Sequence, residues 1–114
     1  MIQQSYYEIA RENEPVFRGI LRELKKNREQ RPGGCYVPPD LDTESSLEEI
    51  FQKYSEGNRF GKFTIKDFTR PNKESATIFF QDVAVLSGGG AELEYRVNEN
   101  NSVEFRQARM AFQS

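Results

Sequence analysis

The sequence predicts an α+β domain in which N-terminal helices pack on one face of a curved four-stranded antiparallel sheet. Three observations carry this expectation. Two apolar stripes of helical period lie in the first half, Val16, Phe17, Ile20, Leu21 and Leu24, then Leu47, Ile50, Phe51 and Tyr54. The second half changes to period 2, most clearly in Ala91-Glu92-Leu93-Glu94-Tyr95-Arg96-Val97, where apolar residues alternate with charges. Turn signals then cut the stretch from Glu74 to Phe112 into pieces of strand length, as an antiparallel meander requires. With 114 residues the chain has room for one modest core, so residues 1–114 are expected to form a single domain.

Along the chain, Tyr6, Ile9 and Ala10 open a short helix over Ser5 to Glu12, and Asn13-Glu14-Pro15 restarts it, because Asn caps well and Pro is tolerated in a first turn. The second helix is predicted to reach about Asn27. Gly19 inside it costs about 1 kcal/mol relative to Ala, which points to a close approach of the sheet there. Arg31 to Thr43 holds Pro32, Gly33, Gly34, Pro38 and Pro39 and reads as a long loop. Ser45 with Glu48, and Ser46 with Glu49, have capping-box spacing ahead of a third helix that stops near Gly57.

A first strand is expected from about Gly61 to Thr69, turned by Pro71-Asn72. The second runs from Glu74 to about Leu86. Its apolar residues change parity between Ile78-Phe79-Phe80 and Val83 and Val85, which predicts a bulge near Gln81-Asp82. Ser87-Gly88-Gly89-Gly90 leads into the third strand, and Asn98-Glu99-Asn100-Asn101 turns it into the fourth, ending near Phe112. If Val97 faces Val103, Tyr95 faces Phe105 on the apolar side, while Glu94 meets Arg106 and Arg96 meets Glu104 on the wet side. Parity changes once more before Ala108, Met110 and Phe112, so a second bulge belongs in the fourth strand.

Composition excludes several mechanisms. A net charge of -2 argues against general nucleic-acid binding, which needs a strongly basic surface. No apolar run approaches the roughly 20 residues that span a bilayer, and Met1-Ile2-Gln3-Gln4 has neither the basic start nor the apolar segment of a signal peptide, so a cytoplasmic location is expected. With no histidine, Ser-His and Cys-His nucleophile pairs cannot be built, and Cys35 alone makes neither an internal disulfide nor a thiolate metal site. No cofactor or metal is expected. Gly88-Gly89-Gly90 lacks the Lys-Ser/Thr that a phosphate loop needs and reads as a hairpin turn.

The remaining candidates fall into two groups. Asp82, between Gln81 and Val83, and Asp67, between Ile65 and Phe68, are the carboxylates that an apolar setting could turn into general bases. Arg18, Arg22 and Lys25 form a basic stretch of the second helix, to be set against the five acids and no base of Asp40 to Glu49. With Phe79 they are the binding candidates: the basic residues would dock an acidic partner, and Phe79 gives strand two a second apolar face through which a homodimer could form.

The element order, helices and then four antiparallel strands, resembles the cystatin-like architecture that includes the NTF2-like family. That resemblance implies a cavity between helix and sheet, dimerisation through the sheet, and either pure binding function or an isomerase in which Asp82 or Asp67 would work with Tyr95 or Tyr54 as hydroxyl donor. Gln81-Asp82-Val83-Ala84 begins like the cystatin inhibitory turn, but Val85 stands where its glycine belongs. Two functional classes follow: a non-enzymatic binding or regulatory protein with a protein partner or a small apolar ligand, and a cavity enzyme of isomerase or lyase type using a buried carboxylate such as Asp82. The poverty of catalytic side chains favours the first.

Overall fold

A computed structural model describes residues 6–26, 37–54, 63–82 and 90–111. Three helices, α1 (Tyr6–Glu12), α2 (Glu14–Lys26) and α3 (Leu47–Tyr54), lie against a sheet of β1 (Phe63–Asn72), β2 (Ser75–Asp82), β3 (Gly90–Val97) and β4 (Val103–Ala111). The sheet is antiparallel in the order β1-β2-β3-β4, the predicted α+β arrangement. No described helix is long and apolar enough to cross a membrane.

The helical stripe was read correctly: Val16, Phe17, Ile20, Leu21 and Leu24 are all buried, and they pack with Ile65, Phe68, Ile78, Phe80, Leu93 and Tyr95 in one core. Asn13 separates α1 from α2, its backbone carbonyl accepting from Phe17 N–H at 3.0 Å to start the second helix. Gly19 faces β4, where an added Cβ would lie 3.4 Å from Val103 Cγ2, the expected close approach. Of the two capping boxes the chain uses Ser46, whose Oγ accepts from Glu49 N–H at 3.3 Å. The expected stop near Gly57 and the loop around Cys35 lie outside the described residues.

Irregularities are confined to the two edge strands. The central pairing of β2 with β3 runs without a shift from Ser75 opposite Arg96 to Gln81 opposite Gly90. Through Gln81 and Asp82 the second strand pairs regularly, without the expected bulge, and Val83 and Val85, whose parity suggested it, lie outside the described residues. A separate bulge is in β1, where Lys66 is the extra residue between Ile65–Phe80 and Asp67–Phe79. Also, β1 continues through Pro71 and Asn72 rather than turning there; a second bulge accommodates the proline on an outer strand, where a missing donor costs no ladder bond. Lys73 and Glu74 make the turn, and Glu74 N–H donates to Asn72 Oδ1 at 2.8 Å.

The third and fourth strands keep the predicted register at Val97–Val103, Arg96–Glu104 and Tyr95–Phe105. The bulge expected in β4 is at Arg106, so Glu94 stands opposite Gln107, whose Nε2 donates to Glu94 Oε1 at 2.8 Å. Arg106 still reaches Glu94 at 3.7 Å, but Glu104 takes a hydrogen bond from Asn98 and forms no ion pair with Arg96. Asn101 closes the turn with a left-handed φ of 67°, a conformation Asn tolerates better than most residues. Phe105 departs from expectation. It shares a face with Tyr95, at 5.8 Å between ring centroids, yet is 48% exposed, because the helices do not extend over that part of the edge strand.

Tyr95, at 1% exposure, and Phe105 therefore contribute unequally. Tyr95→Ala is expected to lower unfolding free energy by about 3–5 kcal/mol, and Phe105→Ala by about 1 kcal/mol or less. Urea titrations of the two variants check this; equal losses would show that Phe105 is covered in solution.

Candidate functional site

The basic residues of α2 find their acids within the chain. Arg18 Nε donates to Glu14 Oε2 at 2.8 Å and its Nη1 to the Thr43 carbonyl at 2.9 Å. One turn on, Arg22 holds both oxygens of Glu44, at 2.8 and 2.9 Å, in the forked geometry that guanidinium and carboxylate share. The spacing of four places both arginines on one side of the helix, and segment 41–45 crosses that side.

Asp42 organises this strap. Its Oδ1 accepts from the backbone N–H groups of Glu44 and Ser45 at 3.2 and 3.0 Å, its Oδ2 takes a hydrogen bond from Lys53 Nζ, and its own N–H donates to Tyr54 Oη at 2.9 Å. Burial works to raise the Asp42 carboxyl, but the hydrogen bonds from Lys53, Ser45 and Glu44 outweigh it and hold it far below the usual carboxylate range. The Glu44 carboxyl is lowered to about 2, first by the Arg22 hydrogen bond and then by that of Thr43 Oγ1. Lys53 and Arg22 are raised in turn, chiefly by their hydrogen bonds to Asp42 and Glu44. Burial is the main reason the Tyr54 hydroxyl is raised. Asp42, Glu44 and Lys53 were not among the candidates read from sequence. Their signal was the Asp-Thr-Glu-Ser run, in which an aspartate side chain can accept the amides two and three residues on, as in an Asx turn.

Beside the strap a groove of about 600 Å³ runs between α2 and the β3–β4 turn. Glu14, Pro15, Arg18, Gly19, Arg22 and Glu23 form one wall, and Asn100 to Val103 the other. Gly19 lets the strand approach, and the left-handed Asn101 presents the opposite wall.

The other sequence candidates lie elsewhere. Lys25 is exposed in the last turn of α2 and does not line the groove. Phe79 is half-buried on the outer sheet face, between Asp67 and Glu92 in the register. Around it that face is mostly polar, with Thr77, Glu92, Glu94, Gln107 and Arg109 beside Pro71 in a depression of about 320 Å³. The second apolar face expected of strand two thus reduces, among the described residues, to one ring. Asp67 is exposed, its Oδ1 accepting from Phe68 N–H at 2.8 Å, and lies two strands from the buried Tyr95. Asp82 stands opposite Phe63 in the register, but its side chain is outside the described residues. The described carboxylates gather in no group of three that could hold a metal ion.

Comparison with known proteins adds no relative: no family model, no curated protein and no solved structure matches the chain.

The depressed carboxyls give the strap a pH dependence of definite sign. A folded-state value below the unfolded one, about 4 for carboxylates, contributes stability that is present above pH 5 and is lost as pH falls toward the folded value. Melting temperature should accordingly fall below about pH 4, with a smaller acid slope in Asp42→Asn than in the parent. Thermal unfolding of both between pH 7 and 2 tests this; matching slopes would uncouple Asp42 from folding.

Proposed function

We propose that this chain is a non-enzymatic binding or regulatory protein, and that its groove between α2 and the β3–β4 turn docks an extended, acidic segment of a protein partner. The observation that carries the reading is Arg22: at the rim of the groove its guanidinium grips a carboxylate through two hydrogen bonds while its side chain remains 54% exposed. Glu44 occupies that position from within the chain, and its own side chain is 67% exposed. An ion pair this open to water is worth about 0–1 kcal/mol and exchanges readily for another carboxylate. The Asn100-Asn101-Ser102 wall offers hydrogen-bonding groups to the backbone of such a segment.

A protein partner is favoured over a small apolar ligand because, among the described residues, rings meet ring to ring beneath the helices, Phe17 on Phe68 at 5.1 Å and Phe63 on Phe80 at 5.0 Å. The rival reading, a cavity enzyme using Asp67 or Asp82 with Tyr95, loses support with Asp67 exposed and accepting from the Phe68 amide. A cytoplasmic setting and a cystatin-like kinship remain parts of the proposal, the second resting on element order.

A glutamate-rich 15-residue peptide, titrated into isotopically labelled protein, is the direct test. Amide resonances of residues 18–23 and 100–103 should shift, less so as salt rises, and Arg22→Glu should abolish the effect. Shifts absent from these residues, or unchanged in Arg22→Glu, would reject the groove.

A further inference from the structure

Strand β4 is the outer strand of the sheet, and no described strand pairs with its free edge. Such an edge presents unpaired N–H and C=O groups that another strand can satisfy. The bulge at Arg106 gives β4 a symmetry about the point between two residues, where a regular strand has none. A plain alternation of period 2, turned end for end about a point between two residues, sets inward positions against outward ones. The extra residue doubles the polar position in mid-strand, so the pattern reads alike from both ends: Val103, Glu104, Phe105, Arg106, then Gln107, Ala108, Arg109, Met110.

We propose that β4 is a homodimer interface, to which a second copy of this chain adds antiparallel about a twofold axis between Arg106 and Gln107. In that register Phe105 of each copy stands opposite Ala108 of the other, Glu104 opposite Arg109, Arg106 opposite Gln107 and Val103 opposite Met110. Apolar positions meet apolar ones, acid meets base, and the axis repeats every pair. The bulges stay in step because both strands carry the same extra residue. Two four-stranded sheets become one of eight strands.

The residues concerned have the unmet needs this arrangement would satisfy. Phe105 is the exposed large apolar residue among those described. Arg109 has no ion-pair partner among them, and Glu104 has the Asn98 amide alone, at 3.0 Å. The opposite edge is unsuited to the same use, since β1 carries two bulges and Pro71, which has no N–H to donate. Self-complementarity in sequence order is a property that a second copy uses and an unrelated partner does not.

Analytical ultracentrifugation of the parent, Glu104→Arg, Arg109→Glu and the double reversal decides the question, with circular dichroism to verify folding. The parent should self-associate, each single reversal should weaken association about tenfold or more, and the double reversal should restore it, since the pairs reappear with signs exchanged. A parent that stays monomeric at several hundred micromolar overturns the proposal, as do folded single variants that associate unchanged or a folded double variant no better than the singles. Should a variant not fold, amide exchange in the parent serves instead. Protection of β4 amides that rises with protein concentration supports the interface, and protection independent of concentration overturns it.

Discussion

The apolar faces of the three helices have one place to go, the inner face of the sheet, and the contact that joins them runs through Phe17. Its ring lies 5.5 Å from Phe51 of α3 and 5.1 Å from Phe68 of β1, and Phe51 in turn touches Tyr6 and Tyr7 of α1 at 5.0 Å each. Five rings thus connect three helices to an edge strand, and Tyr54 on Phe63 on Phe80 carries the connection to β2. Edge-on and tilted arrangements of this kind add to the burial of area because ring edges and faces carry opposite partial charge. Deleting Phe17 would therefore remove a partner from each neighbouring layer at once.

That anchoring fixes where the strap and the groove can be. With Phe17, Ile20, Leu21 and Leu24 turned to the sheet, the helical period carries Arg18 and Arg22 away from the core. The strap comes to them because Leu41 is buried and α3 must bring Phe51 to Phe17. Asp42 lies between, holding the amides of Glu44 and Ser45 on one oxygen and Lys53 on the other. Charge on the strap and apolar burial beneath it belong to one packing solution.

Much of the fold was legible because it is written in local periods. The stripe of α2, the close approach at Gly19, the Val97–Val103 register and the presence of a bulge in β4 each follow from neighbours in sequence. What escaped was set by distance. Alternation tells which face Phe105 takes but not whether a helix reaches far enough to cover it. Alternation within β2 says nothing of its neighbour, so the extra residue Lys66 of β1 was missed. Arg18 and Arg22 were recognised as a basic patch, yet their partners lie 25 and 22 residues away in a loop without period. Of the site, one wall could be read and the other, Asn100 to Val103, could not, since nothing local brings a hairpin turn against a helix.

The division of labour along the chain has a consequence for its synthesis. Every described helix precedes every described strand, and the helical stripes are buried on strands translated later. While the chain emerges from the ribosome, Val16, Phe17, Ile20 and Leu24 lack the sheet they are buried with until the meander has left the exit tunnel. The hairpins, by contrast, pair neighbours in sequence and can close as they appear. Until those hairpins have formed, the stripe of α2 is without its sheet, and it is in that interval, rather than in the finished domain, that a chaperone has most to hold.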